Sequence, residues 1–168
     1  MKAEELRDLN VIGAFALALS DDFRGAMQEL AEGNESACAA LIVIGQESGL
    51  SVDRLSKILG LSQPGTVRLV DRLAADHLVE RKSGADRRSV ALRLTEAGKR
   101  QVKSLLIGRR HALAEALRQL DPGERQVLAA IAEKVLRGLG HSEVECDRRC
   151  RLCDGDTCPD ESCPMAVA

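Results

Sequence analysis

The 168-residue chain is long enough for one domain with a substantial core, because 45% of its residues are hydrophobic. It has two phenylalanines and no tyrosine or tryptophan, which disfavours single-stranded nucleic-acid binding, since such binding relies on aromatic stacking platforms. The formal net charge of −2 does not by itself indicate that the chain binds a polyanion. There is no signal-peptide pattern and no apolar run near the roughly 20 residues of a spanning helix, so a cytoplasmic location is predicted.

The first 30 residues predict an amphipathic helix. Apolar side chains recur there at helical spacing, at Leu9, Ile12, Phe15, Ala16, Leu19, Phe23, Met27 and Leu30. We interpret this stripe as a core or dimer face, the alternative being a ligand-pocket role for one or two members. Cys38 follows in the apolar stretch ESACAALIVIG and is interpreted as a small buried hydrophobe, because a sensing thiol needs exposure and a nearby positive charge.

Two short amphipathic helices come next. Ser51 caps the first and Gly60 ends it, and its apolar face carries Val52, Leu55, Ile58 and Leu59. Ser62 caps the second, with Pro64 in its first turn. The second helix has apolar positions Val67, Val70, Leu73 and Ala74, and polar positions Gln63, Thr66, Arg68, Asp71 and Arg72. The polar set is placed to reach DNA base edges, although every surface helix has a polar face.

A polar hairpin with two adjacent arginines follows these helices. Leu78, Val79 and Arg81 alternate as one strand, and Val90, Leu92 and Leu94 as the returning strand. The segment from Arg68 to Arg110 holds twelve Lys or Arg and five Asp or Glu, so positive charge is concentrated here. Two helices and a basic hairpin in this order predict a winged helix-turn-helix, in which one helix enters a major groove and the hairpin approaches the minor groove.

Two longer helices complete the main body. One is predicted from about Thr95 to Leu120, and Asp121-Pro122-Gly123-Glu124 opens the other. The second of these helices carries Val127, Leu128, Ile131, Val135 and Leu139.

Residues from about 34 to 140 resemble the MarR family of bacterial transcriptional regulators. The resemblance is carried by LSQPGTVRLVDRLAADHLVER, by DRRS at Asp86 to Ser89, and by LTEAGK at Leu94 to Lys99. It implies a mainly α (α+β) winged helix-turn-helix fold with long N- and C-terminal dimerisation helices. The dimer lobe would span about 1–33 and 95–140, and the DNA-binding lobe about 34–94. The resemblance further implies a homodimer bound to a palindromic double-stranded operator.

The resemblance also implies residue roles. DNA contacts are expected from Ser62, Gln63, Thr66, Arg68, Arg72, Asp86, Arg87 and Arg88. Within this set Arg72 faces the DNA backbone, Asp86 buttresses the wing, and Arg88 enters the minor groove. Many relatives respond to small phenolic or carboxylic compounds bound between the two lobes, so a small-molecule effector is a further expectation.

The tail, residues 141–168, holds five of the six cysteines, at Cys146, Cys150, Cys153, Cys158 and Cys163. The last four could bind zinc tetrahedrally or hold an iron–sulfur cluster, and their spacing does not decide between these. Thiol redox sensing is a third interpretation, and Cys146 is a spare ligand, a redox thiol or a bystander. His141 is a substitute ligand by position. Without metal we expect the tail to be disordered, because it has few large apolar residues.

The sequence therefore predicts a dimeric, sequence-specific DNA-binding repressor whose occupancy is controlled by a small molecule, a metal or redox state. The alternative is a metal-binding or redox-sensing protein whose tail is the main functional site, which leaves Arg87 and Arg88 without a task. An enzyme is not expected, because the sequence has no phosphate-binding glycine loop, Ser/His/Asp set or paired-carboxylate pocket.

Overall fold

The computed structural model describes residues 2–30, 35–83, 90–139, 142–158 and 163–165. This part of the chain forms, in order, α1 (Ala3–Leu30), α2 (Glu35–Gln46), α3 (Val52–Leu59), α4 (Gln63–Ala75), β1 (Val79–Ser83), β2 (Val90–Leu94), α5 (Glu96–Ala116), α6 (Pro122–Leu139) and α7 (Glu143–Cys150). β1 and β2 pair antiparallel, with Val79 opposite Leu94 and Ser83 opposite Val90. The mainly α winged fold is confirmed.

The two predicted caps define the helix-turn-helix. The Ser51 hydroxyl accepts a hydrogen bond from the Arg54 amide, and the Ser62 hydroxyl accepts one from the Gly65 amide. Both satisfy amides that have no partner within the first turn of a helix. Gly60 ends α3 in the left-handed region, at φ 66°, where a residue without Cβ is unstrained. The turn between α3 and α4 therefore follows from local sequence.

The core lies in the winged lobe and is built around α2. Seven consecutive residues of α2, from Cys38 to Ile44, are buried. Leu55 and Ile58 of α3, Leu73 of α4 and Leu92 of β2 close around them. The segment between α2 and α3 is joined to β2 by two backbone hydrogen bonds, from Gly49 to Leu92 and from Leu92 to Leu50. These contacts hold the sheet and the helix-turn-helix as one packed unit.

The inward face of α4 differs from the prediction. Thr66 is fully buried and Val67 is 38% exposed, although the sequence placed Thr66 on the polar face and Val67 in the core. The Thr66 hydroxyl donates to the Ser62 carbonyl oxygen one turn earlier, so its polar atom is satisfied within the helix. Thr66 can therefore pack with Leu69, Val70 and Leu73, and its predicted outward position was wrong.

The wing strand β2 is only partly buried. Ala91 and Leu92 lie in the core, whereas Val90 is 45% exposed. Val90 lies at the end of β2 that is nearer the hairpin tip, opposite Ser83. The predicted strand is therefore correct, but its apolar residues are buried only towards the base of the hairpin.

The long helices meet this core at few points, through Met27 of α1 and Leu105 of α5. α5 packs along α1, and a capping box between Asp121 and Glu124 starts α6 as predicted. No side chain of α6 is buried, and apolar residues of α1 and α6 face solvent in the single chain. The exposed apolar set includes Leu9, Ile12, Phe15, Val127, Ile131 and Val135.

The described part of the tail contains a capped helix, α7. Ser142 caps α7, which packs against α3. Cys146 and Met165 are 7% and 4% exposed, so they provide apolar burial that was not anticipated. His141 lies outside the described residues.

Candidate nucleic-acid interface and cysteine cluster

The exposed face of α4 carries most of the predicted DNA contacts that the structure describes. Gln63, Arg68 and Arg72 are all exposed, whereas Thr66 is not. Ser62 is exposed, but its hydroxyl is engaged as the helix cap. The positive groups on this face are therefore Arg68 and Arg72, and Gln63 adds an amide that can both donate and accept hydrogen bonds.

An ion pair joins this helix to the wing. The Arg81 guanidinium of β1 lies 2.6 Å from a carboxylate oxygen of Asp71 on α4. Both side chains are more than one-third exposed, so the pair adds little stability, but it orients the base of the hairpin relative to α4. Sequence reasoning assigned no role to this pair. The predicted wing residues Asp86, Arg87 and Arg88 lie outside the described residues.

Four tail thiols, those of Cys150, Cys153, Cys158 and Cys163, line one cleft. Two tight turns present the first three, one closed by a hydrogen bond from the Cys153 amide to the Cys150 carbonyl and one from the Cys158 amide to the Asp154 carbonyl. All six cysteines are free thiols. In the described ranges, however, no three His, Cys, Asp or Glu side chains are already grouped as a metal site.

The thiols differ in their electrostatic environment. A hydrogen bond from the Cys150 thiol, together with the Arg109 guanidinium, lowers the pKa of Cys153 to about 6. The same hydrogen bond and burial raise the pKa of Cys150 far above its ordinary range. Burial and the neighbouring Cys163 raise the pKa of Cys158. Cys153 is therefore the thiol of this cluster that most readily becomes a thiolate.

Cys38, unlike Cys153, does not readily become a thiolate. It is fully buried, and its thiol donates to the Met27 carbonyl oxygen at 3.6 Å. Burial raises the pKa of Cys38 to about 11. Its interpretation as a small core residue is confirmed.

Polar contacts attach the tail to the helix-turn-helix. The Arg54 guanidinium of α3 reaches Glu143 at 2.6 Å and Asp147 at 2.5 Å, both on α7. The Arg148 guanidinium donates to the Lys57 carbonyl oxygen at 3.2 Å, and its atoms lie 3.4 Å from the position of a Cβ at Gly60. Sequence reasoning missed Arg54, although Glu143 and Asp147 at i, i+4 spacing could have indicated a shared cation.

A contact from α2 holds the cysteine turn itself. The Gln46 side-chain amide donates to the Cys153 carbonyl oxygen at 2.7 Å. The resulting cleft between the tail, α2, α3, α5 and β2 encloses about 960 Å³. Ile42, Val102 and Leu106 form apolar parts of its wall, and the tail cysteines line it together with charged side chains such as Lys99 and Asp154.

Comparisons with known proteins place these features in a family. A family model described as "MarR family" matches residues 34–89, which include α2, the helix-turn-helix and β1. The chain belongs to the MarR family. The transcriptional repressor MprA of Escherichia coli (strain K12) is 31% identical over 115 residues, covering 67% of this chain and 65% of that protein. The regulator PetP of Rhodobacter capsulatus is 34% identical over 103 residues, covering 58% of this chain and 62% of that protein.

The fold agrees with that assignment. A crystal structure of a MarR family protein from Bacillus stearothermophilus has a TM-score of 0.68 and 26% identity, covering 80% of this chain and 95% of that one. The curated relatives are matched over just under two-thirds of their length. Among the described helices of this MarR family chain, none is long and apolar enough to cross a membrane.

Proposed function

We propose that the chain is a homodimeric, sequence-specific DNA-binding transcriptional regulator that represses from a pseudo-palindromic double-stranded operator. The observation that carries this proposal is the exposed face of α4, where Arg68 and Arg72 stand clear of the core on a capped helix-turn-helix. The membership of the MarR family supports it, because the named relatives MprA and PetP are transcriptional regulators. The chain is proposed as a binding protein of the cytoplasm and not as an enzyme.

The proposed DNA interface combines α4 and the wing. Gln63 and Arg68 lie near the start of α4, the end that approaches base edges in helix-turn-helix complexes. Arg72, one turn further on, is proposed to contact the phosphate backbone. Arg87 and Arg88 of the wing are proposed to reach the minor groove, with Asp86 supporting them.

The proposed dimer interface uses the exposed apolar faces of α1 and α6. Ile12 and Ile131 are 61% and 56% exposed in the single chain. An 18-residue helix with no buried side chain gains little stability from packing within its own chain, so we infer that α6 packs against a partner surface. A second copy of the chain supplies such a surface by two-fold symmetry.

An effector is proposed to control operator occupancy. The cleft of about 960 Å³ beside α2 and α5 has the size of a small-molecule site and combines apolar walls with polar groups. A compound bound there would contact both the winged lobe and α5, so it could change the spacing of the two lobes and their fit to the operator.

The test is selection of binding sequences from a random duplex library, followed by titration of the selected operator at several salt concentrations. We expect a two-fold symmetric site and an affinity that falls steeply with salt, as bound counterions are released. Arg68→Ala should weaken binding by at least tenfold, an effect of about 1.4 kcal/mol or more. Arg118→Ala is the matched control, because it removes the same charge just beyond the C-terminal end of α5, a helix about 30 Å long that starts at the wing.

Failure to select any sequence would contradict the proposal. It would favour the second candidate, a metal-binding or redox-sensing protein that acts through the tail. The observation that supports this candidate is that Cys150, Cys153, Cys158 and Cys163 line one cleft.

A further inference from the structure

We propose that Cys150, Cys153, Cys158 and Cys163 bind one zinc ion, and that the zinc-loaded tail fastens α7 onto the helix-turn-helix and strengthens DNA binding. The statement about DNA rests on the proposed function. The statements about zinc and about α7 do not.

The local geometry of the tail suits a tetrathiolate site. Cys150 and Cys153 are joined by one tight turn, and all four thiols line one cleft, although they come from a helix end, two turns and the following segment. Thiolates are soft ligands that favour zinc, and four of them complete its tetrahedral shell. Among the described residues no three His, Cys, Asp or Glu side chains are grouped as a metal site, so zinc binding is expected to draw the four thiols together.

A contact from α2 supports the backbone of the site. The Gln46 amide donates to the Cys153 carbonyl oxygen at 2.7 Å and so fixes the backbone of the first pair of ligands. Groups that orient the ligands in this way are typical of built metal sites.

The contacts of α7 connect this site to the DNA-binding unit. Cys150 is the last residue of α7, so a metal bound there restrains the end of that helix. The same helix is attached to α3 through Arg54, and Arg148 packs on Gly60 in the turn that precedes α4. Ordering α7 therefore restrains the turn that sets the angle of α4. A helix-turn-helix that is already ordered loses less conformational entropy when it binds DNA, so its affinity for DNA is higher.

The first experiment measures metal content and hydrogen exchange on full-length protein purified without an affinity tag. We expect one zinc per chain in the wild-type protein and none in the double variant Cys150→Ser/Cys153→Ser. In that variant, amides of α7 and α3 should exchange faster. Cys38→Ala is the matched control, because it removes a thiol from the distant core and should retain the zinc.

The second experiment separates attachment of α7 from metal binding. Arg54→Ala should keep its zinc but speed exchange in α7 and weaken operator binding by roughly tenfold, within the usual range of coupling between two sites. Lys57→Ala on the same helix is the control for exchange, because its side chain pairs with Asp53 of α3 itself and is 58% exposed.

The outcomes test the zinc site, the fastening of α7 and the proposed function separately. Iron with sulfide in the purified protein, or no metal at all, would overturn the zinc site. Zinc lost from the double variant with unchanged exchange in α3 and unchanged DNA affinity would overturn the fastening of α7. Zinc loss with faster exchange in a protein that selects no DNA sequence would uphold the zinc-held tail and overturn the proposed function instead.

Discussion

Thr66 illustrates how one hydroxyl determines which face of α4 is buried. Its side chain donates to the Ser62 carbonyl oxygen at 3.1 Å, and that oxygen also accepts from the Thr66 amide at 2.9 Å. The threonine therefore enters the core without an unpaired polar atom. Arg68, two residues later, lies on the exposed side of the same helix.

We predict that Thr66→Val lowers the free energy of unfolding by about 1 kcal/mol and leaves operator affinity unchanged, because the lost hydrogen bond is internal to the helix. Arg68→Ala should weaken operator binding and leave the free energy of unfolding unchanged. Denaturant unfolding and DNA titration of both variants measure the two effects separately. A large loss of operator affinity in Thr66→Val at unchanged stability would place Thr66 at the DNA interface after all.

Cys38 and Cys153 should differ sharply in reactivity. The pKa of Cys38 is raised to about 11 by burial, whereas a hydrogen bond from Cys150 lowers that of Cys153 to about 6. Alkylation by iodoacetamide requires a thiolate, so in metal-free native protein at neutral pH Cys153 should be labelled first and Cys38 last. Peptide mass spectrometry reports the order, and unfolded protein serves as the control in which both react. Early labelling of Cys38 would mean that α2 opens readily.

At the scale of elements, Gly98 joins the base of the wing to α5. A Cβ at this position would lie 2.1 Å from the Leu78 carbonyl oxygen, which is backbone and cannot turn away. The Thr95 amide donates to the same oxygen at 3.0 Å, and the Thr95 hydroxyl donates to the His77 carbonyl at 2.6 Å. The start of α5 is thereby fixed to the end of α4 and the beginning of β1.

We predict that Gly98→Ala destabilises the fold by about 3 kcal/mol, since relieving the clash requires α5 to move away from the wing. Lys99→Ala is the control and should change stability by less than about 0.5 kcal/mol, because its ion pair with Glu96 is exposed. Thermal unfolding of the two variants tests the difference. A melting temperature for Gly98→Ala equal to that of the control would show that the junction yields easily.

The elements that could be predicted from sequence are those fixed by neighbouring residues. Ser51, Gly60 and Ser62 define the helix-turn-helix because caps act within one turn. The position of the tail could not be predicted in this way, because Arg54 and Asp147 are 93 positions apart. The burial of Thr66 was also missed, because threonine is classed as polar although its hydroxyl can be satisfied within the helix.

At the scale of the whole molecule, charge and apolar surface are separated. Positive charge is concentrated from Arg68 to Arg110, while the exposed apolar residues of α1 and α6 occupy the opposite ends of the sequence. Phe15 of α1 and Val127, Leu128 and Ile131 of α6 line one apolar cleft. This separation fits a molecule that meets DNA with one lobe and a second copy of itself with the other, as MarR family dimers do.

The proposed dimer gives the last prediction. Ile131→Asp should convert the protein to a monomer, because two-fold symmetry would bury two carboxylates in an apolar interface at a cost of several kcal/mol. Operator affinity should fall with it, since the two half-sites would then be bound by separate molecules. Ala129→Asp is the matched control, because it adds the same charge on the side of α6 that carries the Glu133–Arg137 ion pair. Sedimentation velocity gives the oligomeric state, and a dimer that persists in Ile131→Asp would move the interface away from α6.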